Sequence, residues 1–136
     1  MATNRVPVDY EVPPFPSLYN PLPPGRYEAY YLYYTEDIWR FTLYWSFIFY
    51  AATHATVAAC AMAIQCRNWR IFWALPIIYL IIGGLEAFLA GSIVGGIVGA
   101  TYEAGNFRMS TWTPMIWAGI NVMILALSSF PIQGGL

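Results

Sequence analysis

Two side chains in the apolar part of this sequence could hold a proton, Glu86 and His54. Glu86 follows Arg70 by 16 residues and His54 precedes Arg67 by 13. At 1.5 Å per helical residue these are depths of about 24 and 20 Å from one short loop, less than a turn apart. An ionised carboxylate at mid-membrane costs roughly 2.5–3.5 kcal/mol on insertion scales, so Glu86 is expected to pair or to be protonated. The functional reading is a proton-linked or lipid-headgroup site inside the membrane. The structural reading is a neutral Glu–His hydrogen bond, or a bond from Glu86 to a partner subunit's helix. One acid and one histidine favour the structural reading, because transport sites usually gather several polar groups on broken helices. Asn121 is a third candidate at a less well matched depth. Cys60 and Cys66, six apart, point in different helical directions and suggest neither a disulfide nor a metal site. No nucleophile–base pair, metal cluster or phosphate loop is visible, so neither an enzyme nor a cofactor is expected.

The elements that must position these groups are membrane helices. Of 136 residues, 59% are hydrophobic and 10% charged, with a mean hydropathy of +0.52. Soluble domains average about 25% charged residues. Six arginines, no lysine and seven acids form no basic patch, which argues against nucleic acid as a partner and leaves membrane lipid. The pattern predicts an all-α integral membrane protein with spans at 38–66, 71–101 and 114–130 in one membrane domain, 27–136. The start of the chain shows no cleavable signal, so the first span is expected to act as a signal anchor.

The loop at 67–70 is so short that the first two spans must form a tight antiparallel hairpin. The second span carries a small residue at every fourth position: Gly83, Ala87, Gly91, Gly95 and Gly99. Residues four apart share a helix face, and small-xxx-small faces let membrane helices approach closely. Ala51, Ala55, Ala59 and Ala63 form a similar line in the first span, and the two lines are expected to make the hairpin seam. Gly84, Ser92 and Gly96 broaden the small surface and offer a place for a partner helix. Pro76 falls early in the second span, and Pro114 in the first turn of the third, where proline is favoured.

Residues 1–26 form a proline-rich tail, expected to be extended and held on a partner or mobile. Pro13 with Pro16 and Pro21 with Pro24 fit P-x-x-P, a weak signal for a proline-reading domain. Residues 27–37 are read as a helical segment at the membrane interface. There Tyr27, Tyr30, Tyr31 and Tyr34 share a face, Trp39 continues the aromatic belt, and Glu36 pairs with Arg40 across one turn. Arginine counts on the two sides nearly tie. The first loop carries two without an adjacent acid, which leans it towards the cytosol.

Two stretches resemble the transmembrane protein 170 family: EDIWRFTLYW at 36–45 and GSIVGGIVGATYEAGNFRM at 91–109. Tyr102, Ala104, Gly105 and Met109 match that family's turn after a small-residue helix, one residue shorter here and with Glu103 where a basic residue is usual. The resemblance covers about residues 36–130. It implies a three-span protein of the endoplasmic reticulum and nuclear envelope that influences membrane shape, and an auxiliary subunit of bridge-like lipid-transfer proteins. It also implies a lumenal N-terminus, with the first loop and C-terminus cytosolic. The leading expectation is thus a non-enzymatic subunit that scaffolds or docks a larger membrane assembly. The alternatives are a small oligomeric transporter or channel using Glu86, and an accessory subunit of a respiratory-type complex. Mitochondrial localisation would single out the last.

Overall fold

The computed structural model describes residues 6–19, 30–65 and 69–130. Tyr27, the Pro21/Pro24 motif, Cys66, the loop centre and residues 131–136 lie outside the described residues. Three long helices dominate: α1 (Thr35–Ile64), α2 (Trp69–Ala104) and α3 (Trp112–Ser129). Each is long and apolar enough to cross a membrane. A two-stranded antiparallel ribbon joins β1 (Tyr31–Leu32) to β2 (Met109–Ser110), with Tyr31 opposite Ser110 and Leu32 opposite Met109. The hub is α1, which packs along α2 and against α3, while α2 and α3 hardly touch.

The hairpin seam uses the predicted face of α2 and a different face of α1. A methyl placed at Gly91 would lie 3.0 Å from Ser46 Cβ, at Gly95 3.1 Å from Trp39 Cα, and at Gly99 3.0 Å from Thr35 Cγ2. Ala87, in the same line, is fully buried. The α1 side of the contact is therefore Thr35, Trp39, Thr42, Leu43, Ser46 and His54. The expected alanine line is outside it: Ala51, Ala55, Ala59 and Ala63 are all exposed. The physical reason lies in the polar residues. Thr42 and Ser46 return their hydroxyls to the Ile38 and Thr42 carbonyls, each at 2.8 Å, so they pack as small residues with no unmet donor. Turning His54 into the seam towards Glu86 then carries the alanines, one position on, about 100° away.

The helix ends are set by contacts across the bundle. The backbone N–H of Thr35 donates to Glu103 Oε2 at 2.9 Å, and its hydroxyl to the same oxygen. An acid at the end of α2 thus caps the positive N-terminus of α1. Just beyond, the chain leaves α2 by a Schellman turn: Phe107 N–H donates to Tyr102 O, Asn106 N–H to Glu103 O, and Asn106 takes a φ of 51°. The Tyr102 and Phe107 rings pack across the turn with centroids 6.4 Å apart, the apolar contact that usually accompanies this motif. The predicted separating segment is correspondingly shorter, because α2 runs to Ala104 and α3 starts at Trp112. Pro76 sits two turns inside α2.

Residues 31–34 depart from the expected interfacial helix. β1 pairs with β2, and α1 begins at Thr35, so Tyr30, Tyr31 and Tyr34 do not share a helical face. The ribbon is favoured because it buries Leu32 and Met109 completely against Ile38 and Phe41, with Val98 and Tyr102 packed on that cluster. The predicted Arg40–Glu36 pair is present at the surface.

The described part of the tail, residues 6–19, lies as a strap on its own bundle. Tyr10 donates its hydroxyl to Asp37 at 3.3 Å, the Thr111 hydroxyl donates to Ser17 O, and Trp112 Nε1–H donates to Tyr19 O, both at 2.8 Å. Burial first, and the Asp37 charge second, push the Tyr10 phenol well above its usual range, so it stays a donor. Phe15 lies 5.3–5.5 Å, centroid to centroid, from the rings of Phe41, Tyr44 and Trp45. Edge and tilted aromatic pairs contribute about 0.5–1.5 kcal/mol each. Phe15→Ala is expected to speed limited proteolysis within residues 6–19 at least tenfold, for a net loss of about 1.5 kcal/mol, while the helices stay protected. An unchanged cleavage rate would show that Phe15 does not hold the strap.

Candidate functional site

His54 is buried and aimed from α1 across the seam. Its Nδ1 lies 2.9 Å from the Tyr50 carbonyl. A carbonyl only accepts, so Nδ1 carries a hydrogen and Nε2 is the variable position. Nε2 lies 3.2 Å from Glu86 Oε2. The approach is at ion-pair distance but is not aligned as a directed hydrogen bond, and Oε2 is buried without another partner. The imidazole and the carboxyl group thus face one another at a distance short enough for each to compensate the other inside a membrane.

Packing fixes the ring. The Gly83 backbone lies directly against it, and a methyl there would sit 2.7 Å from His54 Cγ. The Tyr50 ring stacks on one side at 6.2 Å, and the Tyr79 ring is tilted against it at 6.5 Å. Sequence reasoning missed Tyr79, seven residues before Glu86 and so on its face of α2.

Two cavities meet at His54. One, about 380 Å³, opens between α2 and the end of α3 and is walled by Thr53, Val57, Tyr79, Glu86, Leu125 and Phe130 among others. The other, about 200 Å³, is walled by Phe47, Ala51, Leu80, Gly83 and Gly84. Ala51 and Gly84 thus flank one furrow of the hairpin. A methyl added at Gly84 or Gly96 would meet nothing within 4 Å, and the Ser92 hydroxyl is buried without a hydrogen-bond partner.

Asn121 does not join the pair. It lies on α3, outside the residues that wall either cavity, and its Nδ2 is buried without a hydrogen-bond partner. Trp39 contributes backbone to the seam beside Gly95. Cys60 is exposed with a free thiol. Among the described residues no third His, Cys, Asp or Glu converges with the His54–Glu86 pair, which leaves it suited to holding or passing a single proton.

Comparison with known proteins adds family relationships. The family model described as transmembrane protein 170A/B-like matches residues 31–136. A Saccharomyces cerevisiae protein described as "Uncharacterized protein YPR153W" is 34% identical over 134 residues, which cover 98% of this chain and 95% of the yeast protein. No solved structure matches the chain.

Proposed function

Because this chain belongs to the transmembrane protein 170A/B-like family, we propose that it is a non-enzymatic docking subunit of a larger membrane assembly. The assembly is one for membrane shaping or bridge-like lipid transfer in the endoplasmic reticulum or nuclear envelope. Its N-terminus is lumenal in this reading, with the first loop and C-terminus cytosolic. The observation that carries the reading is the furrow flanked by Ala51 and Gly84. Farther along α2, Gly96 also has open space over its backbone, as Gly84 does. Small residues beside an open furrow allow another helix backbone to come close, and the unmet Ser92 hydroxyl could donate across the contact.

Mild-detergent purification followed by mass spectrometry tests this. Gly84→Leu with Gly96→Leu should lower recovery of a very large lipid-transfer chain at least fivefold without changing the yield of the subunit. Equal recovery from wild type and variant would remove the furrow from the docking surface.

A second reading is favoured by the cleft at Glu86: a small oligomeric transporter that passes protons or a proton-coupled solute. It predicts a pure homo-oligomer whose reconstituted, proton-dependent flux is abolished by Glu86→Gln. A large hetero-complex without such flux returns the argument to docking.

A further inference from the structure

Where the tail strap crosses the ribbon end of the bundle, tyrosines and carboxylates wall a second kind of cavity. The hollow, about 230 Å³, is lined by Tyr10, Tyr30, Tyr31, Tyr33, Asp9 and Glu11, with two prolines. Its walls are held from three directions. Tyr10 is tied to Asp37, and its ring meets Tyr33 edge-on with centroids 5.0 Å apart. Tyr31 is paired to Ser110 in the ribbon, and the Tyr30 carbonyl accepts the Thr111 N–H at 3.3 Å.

The chemistry of this lining is that of a cation cage. Tyrosine faces are electron-rich and attract cations within about 6 Å of the ring centroid, and aromatic cages are a recurrent way to hold quaternary ammonium groups. Asp9 and Glu11 add negative charge, and among the described residues no arginine lines the hollow. One wall already holds a cation: the Arg108 guanidinium carbon lies 4.4 Å from the Tyr31 ring centroid. The same wall thus offers a positive group to any anion attached to a caged cation. Its place in the fold narrows the source. Tyr30, Tyr31 and Tyr33 lie just before Thr35, the first residue of a helix apolar enough to cross a membrane, and tyrosines are enriched at the headgroup level flanking such helices.

We propose that this cavity binds the quaternary ammonium headgroup of a membrane lipid, with the trimethylammonium group among the tyrosines and carboxylates and the lipid phosphate towards Arg108. A trimethylammonium has no hydrogen to donate and is weakly hydrated, so ring faces suit it better than they suit a primary ammonium. This inference is independent of how the furrow on the hairpin is used.

The test uses the full chain in uncharged maltoside micelles, titrated with short-chain phosphatidylcholine, phosphatidylethanolamine and phosphatidylglycerol of identical acyl chains, and read by native mass spectrometry and calorimetry. Phosphatidylcholine is expected to bind about tenfold tighter than either comparator. The double variant Asp9→Asn/Glu11→Gln, whose side chains are exposed, should lose about tenfold for the choline lipid with its melting temperature unchanged. Tyr30→Leu should behave likewise. Equal affinity for all three lipids, or a choline preference that survives both variants, would overturn the proposal. Tighter binding of tail-free phosphocholine or of a trimethyl-lysine peptide than of the lipid would overturn the lipid source.

Discussion

Leucine at Gly95 is expected to pry α1 from α2, whereas leucine at Gly96, the next residue, is expected to be tolerated. At Gly95 the first carbon of a side chain already lies 3.1 Å from both Trp39 Cα and Thr42 Cβ and 3.3 Å from the Trp39 carbonyl oxygen. Two of those atoms are backbone, so no side-chain rotation makes room. Overpacking a close contact costs about 1–3 kcal/mol, and more where the neighbour cannot move. A loss of about 3 kcal/mol would shift the unfolding equilibrium of the hairpin by roughly a hundredfold. Gly96 has open space instead, so leucine there removes a poor helix former and clashes with nothing. Reversible unfolding in mixed micelles should separate the pair. Equal destabilisation by both would mean that the seam is not where these contacts lie.

The second large effect concerns the contact between His54 and Glu86. His54→Leu leaves a carboxyl facing an apolar seam, and its loss is expected at about 2–3 kcal/mol, the range for an acid inside a membrane helix. Adding Glu86→Leu should restore most of that stability, because it removes the acid that the first substitution leaves without a partner. The coupling in the double-mutant cycle should therefore be large, on the order of 2 kcal/mol and favourable to the pair. Glu86→Gln alone should cost little, since a neutral amide of the same shape faces Nε2 at the same place. Additive losses from the two leucine variants would show that the 3.2 Å approach carries no energy. Gly83→Ala offers an independent check. Its methyl would displace the His54 ring and should reproduce the His54→Leu loss without removing either polar group.

The seam and the pair show how far local rules reach. The depth match between His54 and Glu86 followed from helical rise and a short loop, quantities independent of the rest of the fold. The same arithmetic placed the small-residue face of α2 correctly, since residues four apart share a face wherever that face is turned. The alanine line failed because a repeat defines a face without saying what it meets. In lipid, apolar faces gain little by choosing one neighbour over another. The rotation of α1 was decided by the His54–Glu86 contact and by the self-satisfied hydroxyls of Thr42 and Ser46.

The ribbon end was the least legible part. Tyrosines at helical spacing suggested a helix, but residues 31–32 find backbone partners at 109–110, more than seventy positions away. Glu103 looked like a departure from a family pattern, and the fold makes it the cap of α1. Residues 6–19 form neither helix nor strand, but the prolines carried no sign that Phe15 and Tyr10 would bind this stretch to its own bundle.

By itself, then, the sequence determined three spans, a hairpin forced by its loop, a glycine face on α2, and one acid and one imidazole at matched depth. All of these depend on periodicity, apolar length and distance along the chain. Only the tertiary structure decided which face of α1 meets the glycines, that α3 packs on α1 and opens a cleft beside Glu86, and that the tail folds back to build a tyrosine-lined hollow. Those outcomes depend on polar pairings and ring contacts between residues far apart in the chain, selected by how closely backbones approach once the helices pack.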